Sequence, residues 1–369
     1  MSTRTSTRST EYYAGLAEDR ARPSGPGPRP GPVDYYLDPD EPPGRWWGHG
    51  RAAAGVAGEV TGDDLRALLG ARHPVTGRPL GRRFGDASAR GFDATFSAPK
   101  SVSALWALSP DQFVRAEVLA AHDTAVTAAL GWFETHGAVT RRGTDGVDQV
   151  DTRGITVALF RQHTSRAVDP QLHTHAVIAA KVQDPTGRWL SLDARFLKGQ
   201  QRTIGWICDA ALRAELTHRL GVTWEQGPDG PGDMTAIPGP VRDLLSQRSG
   251  QVQEKLAELI GRWSDDHDGA DPDPRTIAAL ERAAAVSSRP SKTEGVDGAT
   301  LHDTWADQAR RAGFDPTRLT ADMLPGRSQE PEVSDEALIA DALLRVAEES
   351  NRRDEKEETS HDEPARRAG

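Results

Sequence analysis

The chain has 369 residues, of which 36% are hydrophobic, with 36 glycines, 25 prolines and a formal charge of −10. That length suits one large domain or two ordinary ones, and the low apolar share with so much Gly and Pro predicts a folded core accompanied by loose segments. The single cysteine, Cys208, excludes an intrachain disulfide and a multi-cysteine zinc site. No apolar run approaches the roughly eighteen residues of a membrane span, and the start MSTRTSTRST lacks the apolar stretch of a secretory signal, so the expected location is the cytoplasm.

The charge is unevenly spread. Residues 1–250 carry 29 Lys+Arg against 28 Asp+Glu, and residues 251–369 carry 16 against 27. The acidity therefore belongs to the last third. Residues 51–100 and 151–200 are each net +3, which permits basic patches for a polyanion on an otherwise neutral domain.

Residues 1–11 read as a flexible segment. Tyr12 and Tyr13 follow in a short helical piece, EYYAGLAED. A Pro/Gly loop over 20–33 then leads to Tyr35 and Tyr36. All four tyrosines of the chain sit in these two pairs, whereas a packing role would scatter them. Trp46 and Trp47 of RWWGHG read as core residues. A helix over 62–70 has acids in its first turn. GFDATFSAPKSVSALWAL, residues 91–108, reads as a strand and then a helix. Phe92, Ala94 and Phe96 alternate with Asp93 and Thr95, which sets Asp93 on the face opposite the aromatics. Ser97 is the expected cap of the helix, with Pro99 in its first turn. A long helix over 110–136 stops at Gly137. After a polar loop at 141–152 come strands over 154–162 and 171–182, joined by the turn TSRAVDPQ. A short strand over 188–193, a helix over 202–219 and the strand VTWEQ complete this part. Further helices are expected at 239–247, 250–263, 274–285, 300–312 and 333–349, and residues 350–369 read as a disordered charged tail. This order predicts an α+β fold with helices packed on an antiparallel sheet. No GxxxxGK[ST] phosphate loop is present.

The chemistry concentrates in FRQHTSRAVDPQLHTHAVIAAKV, residues 160–182. His173 and His175 are two apart, so on a strand they share one face. Antiparallel pairing with the preceding strand brings His163 near them. Three imidazoles on a sheet face make a plausible divalent-metal site, which can polarise a phosphoryl group. Tyrosine suits phosphoryl transfer, because its phenolate is nucleophilic and the phosphotyrosyl bond preserves the energy for reversal. Asp93 is the candidate to orient or deprotonate a phenol or a histidine. From the pattern alone, a structural carboxylate and aromatic loop anchors are equally good readings.

EYY, DYY, PPGRWWGHG, GFDATFSAPKSVS, TSRAVDPQLHTHAV and PTGRWLSLDARFLKGQQR occur in this order. Together they resemble the MobF family of conjugative relaxases, the TrwC/TraI-like nicking domains. The resemblance runs from Tyr12 to about residue 265. It implies an HUH-type relaxase fold with a palm-like antiparallel sheet over 12–265, followed by a helical extension over 266–349. It also implies metal-dependent nicking and rejoining of one DNA strand at a transfer origin through a 5′-phosphotyrosyl intermediate. Carried over, Tyr12 is the first nucleophile and Tyr35 the second, with Tyr13 and Tyr36 as helpers. Asp93 is the active-site aspartate, and His173 and His175 are metal ligands. Lys100 and Arg166 serve DNA contacts or site architecture. The cofactor is a divalent cation, Mg²⁺ or Mn²⁺ in the cell, with Zn²⁺ or Ni²⁺ possible in vitro. The implied partners are single-stranded and hairpin DNA, a separate helicase, and relaxosome accessory or coupling proteins. A DNA-binding remnant without cleavage and an unrelated metal hydrolase are the alternatives.

The sequence departs from the family pattern in three places. The family's third histidine, as in H-x-T-S-R, stands where this chain has Gln162, and His163 follows it. Either a bulge restores His163 to the metal, the expectation adopted here, or Gln162 contributes an amide oxygen. The apolar strand that usually precedes the first tyrosine is replaced by MSTRTSTRST. No helicase motif follows.

Overall fold

The computed structural model describes residues 7–8, 42–86, 88–165, 167–227, 230–288, 298–321 and 324. Tyr12, Tyr13, Tyr35, Tyr36 and Arg166 lie outside the described residues, as do the expected helix at 333–349 and the tail at 350–369. In chain order the first elements are β1 (Thr7–Arg8), β2 (Arg45–Trp47), α1 (Arg51–Ala54), α2 (Gly62–Leu69), β3 (Gly91–Ser97), α3 (Lys100–Leu108) and α4 (Gln112–His136). The middle of the chain forms β4 (Val139–Arg142), β5 (Asp148–Asp151), β6 (Val157–Thr164), β7 (Pro170–Ala179), β8 (Lys181–Gln183) and β9 (Trp189–Ser191). Then come α5 (Ala194–Gly199), α6 (Gln201–Leu220), β10 (Trp224–Gly227), β11 (Gly230–Met234) and the helices α7 (Gly239–Leu244), α8 (Gln247–Asp265), α9 (Pro274–Ser287) and α10 (Gly298–Arg311).

Five strands form the central sheet in the order β1-β3-β7-β6-β2, antiparallel throughout. Strand alternation gives it two faces. Phe92, Ala94 and Phe96 of β3, Leu172, Ala176 and Ile178 of β7, and Val157 and Leu159 of β6 lie on one face. They form the main core with residues of α3, α4 and α6, among them Leu105, Val118, Ala125 and Leu212. On the other face, Ala158, Phe160 and Val177 pack under a smaller cluster with Trp46, Leu65, Leu68, Leu69 and Leu80. The remainder of that second face is the polar end of the sheet.

Local signals explain the boundaries. Thr61 caps α2 through its hydroxyl and Asp111 caps α4 through its carboxylate, each accepting a backbone N–H of the first turn. Gly221, at φ 65, ends α6 in the left-handed conformation that glycine adopts without strain. Two sequence expectations are corrected. Ser97 does not cap α3; it is the last residue of β3, and Pro99 occupies the cap position. The polar stretch expected as a loop at 141–152 contains most of a two-stranded ribbon, β4 with β5.

The main core also runs past residue 265, the domain boundary expected from the sequence. Trp305 and Ala309 of α10, with Leu319 and Leu324, are buried in it. The His302 ring bonds through Nδ1 with the carbonyl of Ala107 at 2.8 Å, and Ser109 donates to the carbonyl of Leu319 at 2.6 Å. The Trp305 indole N–H donates to the carbonyl of Val168 at 3.0 Å, tying α10 to the loop between β6 and β7. Trp305→Ala should therefore destabilise the whole domain by about 3–5 kcal/mol, the usual cost of emptying a large aromatic site. A denaturation midpoint shifted by less than a quarter of that would show α10 to be a dispensable appendage.

Candidate metal centre and DNA interface

The β3–β7–β6 register builds the site row by row. Ser97, His173 and Gln162 stand opposite one another across the three strands. Thr95, His175 and Phe160 form the next row, and Asp93, Val177 and Ala158 the one beyond it. Directly opposed residues share a face, so the sheet itself brings Asp93, His173 and His175 together. The two imidazoles are 5.2 Å apart between centroids and nearly perpendicular, at 74°.

Each ring is held by its Nδ1. In His175 that nitrogen is 3.0 and 3.1 Å from the two carboxylate oxygens of Asp93 and 3.2 Å from the Thr95 hydroxyl. In His173 it is 2.8 Å from the carbonyl of Gln171. A carbonyl only accepts, so Nδ1 of His173 is the donor there, and toward the Asp93 carboxylate Nδ1 of His175 donates as well, which leaves Nε2 of each ring as the nitrogen available to a cation. A carboxylate or carbonyl behind the ligating ring is the arrangement that fixes tautomer and orientation in metal-binding histidines. The donor set therefore fits a divalent cation held by the Nε2 atoms of His173 and His175.

The Gln171 carbonyl points at His173 because the strand pair is irregular there. Gln162 pairs with His173 and Thr164 with Pro170, so His163 alone on β6 faces both Gln171 and Leu172 on β7. The extra residue of this bulge lies on β7. On its other edge the same stretch of β7 is held by the segment after β3. Leu172 N–H donates to the Ser103 hydroxyl at 3.0 Å, and Ala98 N–H donates to the Leu172 carbonyl at 2.9 Å. The Ser103 hydroxyl in turn donates to the Pro99 carbonyl. The sequence reading did not single out Ser103, although it lies within the SAPKSVS motif.

Lys100 is half-buried, and its ammonium donates to the carbonyls of Pro170 at 2.8 Å and Leu245 at 2.9 Å. It ties the start of β7 to the C-terminal helices, so its role here is architectural. Asp169 is buried beside it. One of its oxygens accepts the N–H of Arg248 at 2.8 Å, and burial raises the pKa of its carboxyl. His163 is not brought to the face that carries His173 and His175. Its ring stacks on Trp106 of α3, with centroids 4.7 Å apart and planes 13° from parallel, on the helical side. His122, also on that side, bonds through Nε2 to the Thr174 hydroxyl at 2.9 Å. Burial, reinforced by the nearby Arg161, lowers its pKa to about 3, so it stays neutral.

Basic groups collect away from the histidines. A cleft of about 490 Å³ is lined by Arg82, Arg141, Lys181, Trp189, Asp193 and Arg195. A smaller one is lined by Arg72, Arg83, Phe84 and Arg90. The turn over residues 72–79 stands beside them, closed by a bridge between Arg72 and Pro79, with Val75 exposed at its tip.

The family model for TrwC relaxase matches residues 6–312. The multifunctional conjugation protein TraI of Escherichia coli K12 is 33% identical over 301 residues, covering 76% of this chain. The match spans only 16% of TraI's length. Among solved structures, the metal-bound conjugative relaxase TrwC in complex with oriT DNA is 30% identical with a TM-score of 0.68, covering 85% of this chain and 100% of that one. A copper-bound TrwC complex with oriT DNA gives a TM-score of 0.67 at 30% identity and the same coverage. TrwC with a 27-mer DNA comprising the recognition hairpin and the cleavage site gives 0.66 at 29%, again with the same coverage. The fold is that of the TrwC relaxase domain. The chain belongs to the TrwC relaxase family.

Lys100 gives this architecture a pH signature. Its pKa falls from 10.5 to about 8, because burial disfavours the charge while Asp169 partly offsets the shift. Between those values the unfolded chain binds more protons than the folded one, so stability rises with pH. The penalty is fully present below the folded value and is relieved as the pH approaches the unfolded one. Denaturant midpoints measured from about pH 7 to about pH 10 should carry this rise, and Lys100→Met should lack it. Equal slopes in the two proteins would mean that the ammonium is solvated.

Proposed function

We propose that this chain nicks and rejoins one strand of DNA at a transfer origin, with His173 and His175 holding a divalent cation and tyrosine as the nucleophile. The observation that carries the reading is the pair of imidazoles anchored through Nδ1 by Asp93 and Gln171, in a chain of the TrwC relaxase family. A cation bound there supplies charge to the non-bridging oxygens of the scissile phosphate. Asp93 acts behind His175, fixing its tautomer and adding negative charge to the ring that donates to it. Because both rings are held by the sheet, little reorganisation is needed when a phosphate arrives.

In the proposed chemistry the Tyr12 phenolate attacks phosphorus, the bond to the 3′ oxygen breaks, and that oxygen takes up a proton. The 5′ phosphate stays on the tyrosine, and attack by a 3′ hydroxyl reverses the step. Tyr35 performs the second cleavage, with Tyr13 and Tyr36 as helpers. TrwC has been solved with a DNA comprising the recognition hairpin and the cleavage site; the proposed hairpin partner of this chain lies along the basic clefts, and Arg166 serves DNA backbone contacts or site architecture. Mg²⁺ or Mn²⁺ is the proposed cation, the cytoplasm the proposed location, and a separate helicase with relaxosome accessory or coupling proteins the proposed partners. Family membership removes the unrelated metal hydrolase. A domain that binds DNA without cutting it is the competing outcome.

A labelled single strand carrying the transfer origin, incubated with the protein and Mn²⁺, should yield a covalent adduct whose tryptic peptide contains Tyr12. Tyr12→Phe should remove that adduct and leave binding within about twofold. Tight binding with no adduct in the wild type would establish the non-cutting reading. An adduct persisting in Tyr12→Phe would move the first nucleophile to Tyr35 or another residue. For the duplex partner, replacing both Arg82 and Arg83 by Gln should weaken hairpin binding and flatten its salt dependence by about one unit of slope per lost phosphate contact. An unchanged slope would put the hairpin elsewhere.

A further inference from the structure

We infer that Gln162, standing opposite His173 while His163 stacks on Trp106, is the third protein donor to the metal, and that this biases the site toward hard cations such as Mn²⁺ and Mg²⁺. The inference rests on the metal reading proposed above and concerns the donor in which this chain departs from a three-histidine set.

Three observations carry it. Gln162 is buried and directly opposes His173 on the same face, where opposed Cβ atoms lie about 4.5–5.5 Å apart. His163 is its neighbour in sequence, so its side chain points to the other face. The bulge at this point does not change that, because its extra residue lies on β7 and leaves the alternation of β6 intact. Turning His163 to the metal by slipping β6 one residue would also reverse Leu159 and Phe160, which are buried in opposite cores. It would break the His163–Trp106 stack as well. Trp106 is itself packed against His302 and Trp305, and Trp305 is hydrogen-bonded to the loop between β6 and β7. His163 is thus a packing residue that holds Gln162 in place.

A glutamine in this position can offer its amide oxygen. Oxygen donors suit Mg²⁺ and Mn²⁺, while imidazoles suit Ni²⁺, Zn²⁺ and Cu²⁺. Exchanging one imidazole for an amide oxygen lowers affinity for the second group far more than for the first.

Calorimetric titration of the full-length protein with Mn²⁺ and with Ni²⁺ tests this without DNA or turnover. Gln162→His should tighten Ni²⁺ binding by about tenfold or more and raise the Ni²⁺/Mn²⁺ selectivity. The near-isosteric Gln162→Glu should retain or tighten Mn²⁺. His163→Phe, which keeps a ring on Trp106 and removes both nitrogens, should leave both affinities within about twofold. A loss of about tenfold in Ni²⁺ affinity in His163→Phe, or metal affinities indifferent to both Gln162 variants, overturns the assignment. His173→Ala and His175→Ala serve as the frame. If neither weakens Mn²⁺ binding, the metal centre itself is wrongly placed and the Gln162 assignment falls with it.

Discussion

Alternation along β6 is the constraint on which the site depends. Leu159 is committed to the core beneath the helices and Phe160 to the cluster beneath Trp46. Two successive large side chains buried on opposite faces leave the strand no freedom to rotate or slip, because either change would expose both at once. Everything beyond them inherits that phase: Arg161 on the helical face, Gln162 beside His173, and His163 against Trp106. The same holds for β3, where Phe92 and Phe96 fix the opposite orientation of Asp93. The chemistry of the polar face is therefore positioned by hydrophobic burial on both sides of the sheet.

The bulge is the one place where this regularity is broken, and the break falls on β7. It frees the Gln171 carbonyl to bond the His173 ring and leaves the Leu172 N–H to be met by Ser103. The loop beyond the bulge is then held from several directions: by Lys100 at Pro170, by the Arg248 N–H at Asp169 and by Trp305 at Val168. These contacts come from α3, α8 and α10, elements far apart in sequence. A rigid pair of imidazoles at the end of a hairpin needs such support, since a hairpin end without it is among the least stable parts of a sheet.

Much of this was legible in the sequence because it follows short-range rules. Period-two alternation located Asp93 opposite Phe92 and Phe96, and the spacing of His173 and His175 put both rings on one face. The long helix ends at Gly137, where a glycine stop was expected. What was not legible depended on long-range pairing. The bulge expected to return His163 to the other two histidines would have had to shift β6; the one present carries its extra residue on β7 and leaves His163 on the helical side. The domain boundary expected near residue 265 rested on the extent of the family resemblance, and nothing local marks Trp305 as a residue of a core built some two hundred positions earlier. For Lys100 the resemblance left DNA contacts and site architecture open; its two carbonyl partners, from residues 170 and 245, favour the second and could not be foreseen from its neighbours in sequence. The four tyrosines fall outside the described residues, and their assignment rests on the family pattern.

The distribution of charge fits the proposed division between a rigid centre and a separate DNA surface. The histidine face is held by neutral or internally compensated groups: carbonyls behind His173 and Lys100, a carboxylate behind His175, and a neutral His122 behind Thr174. None of these needs a counter-ion, so the face can accept a cation and then a phosphate without first losing a partner. Arg82 and Arg83, exposed and without an ion pair among the described residues, line the clefts, where an exposed cation keeps its hydration and can exchange it for a phosphate. A chain that is net −10 overall can thus bind a polyanion, because its acidic excess lies in residues 251–369 while the basic groups that matter are set on the fixed scaffold of the first 250.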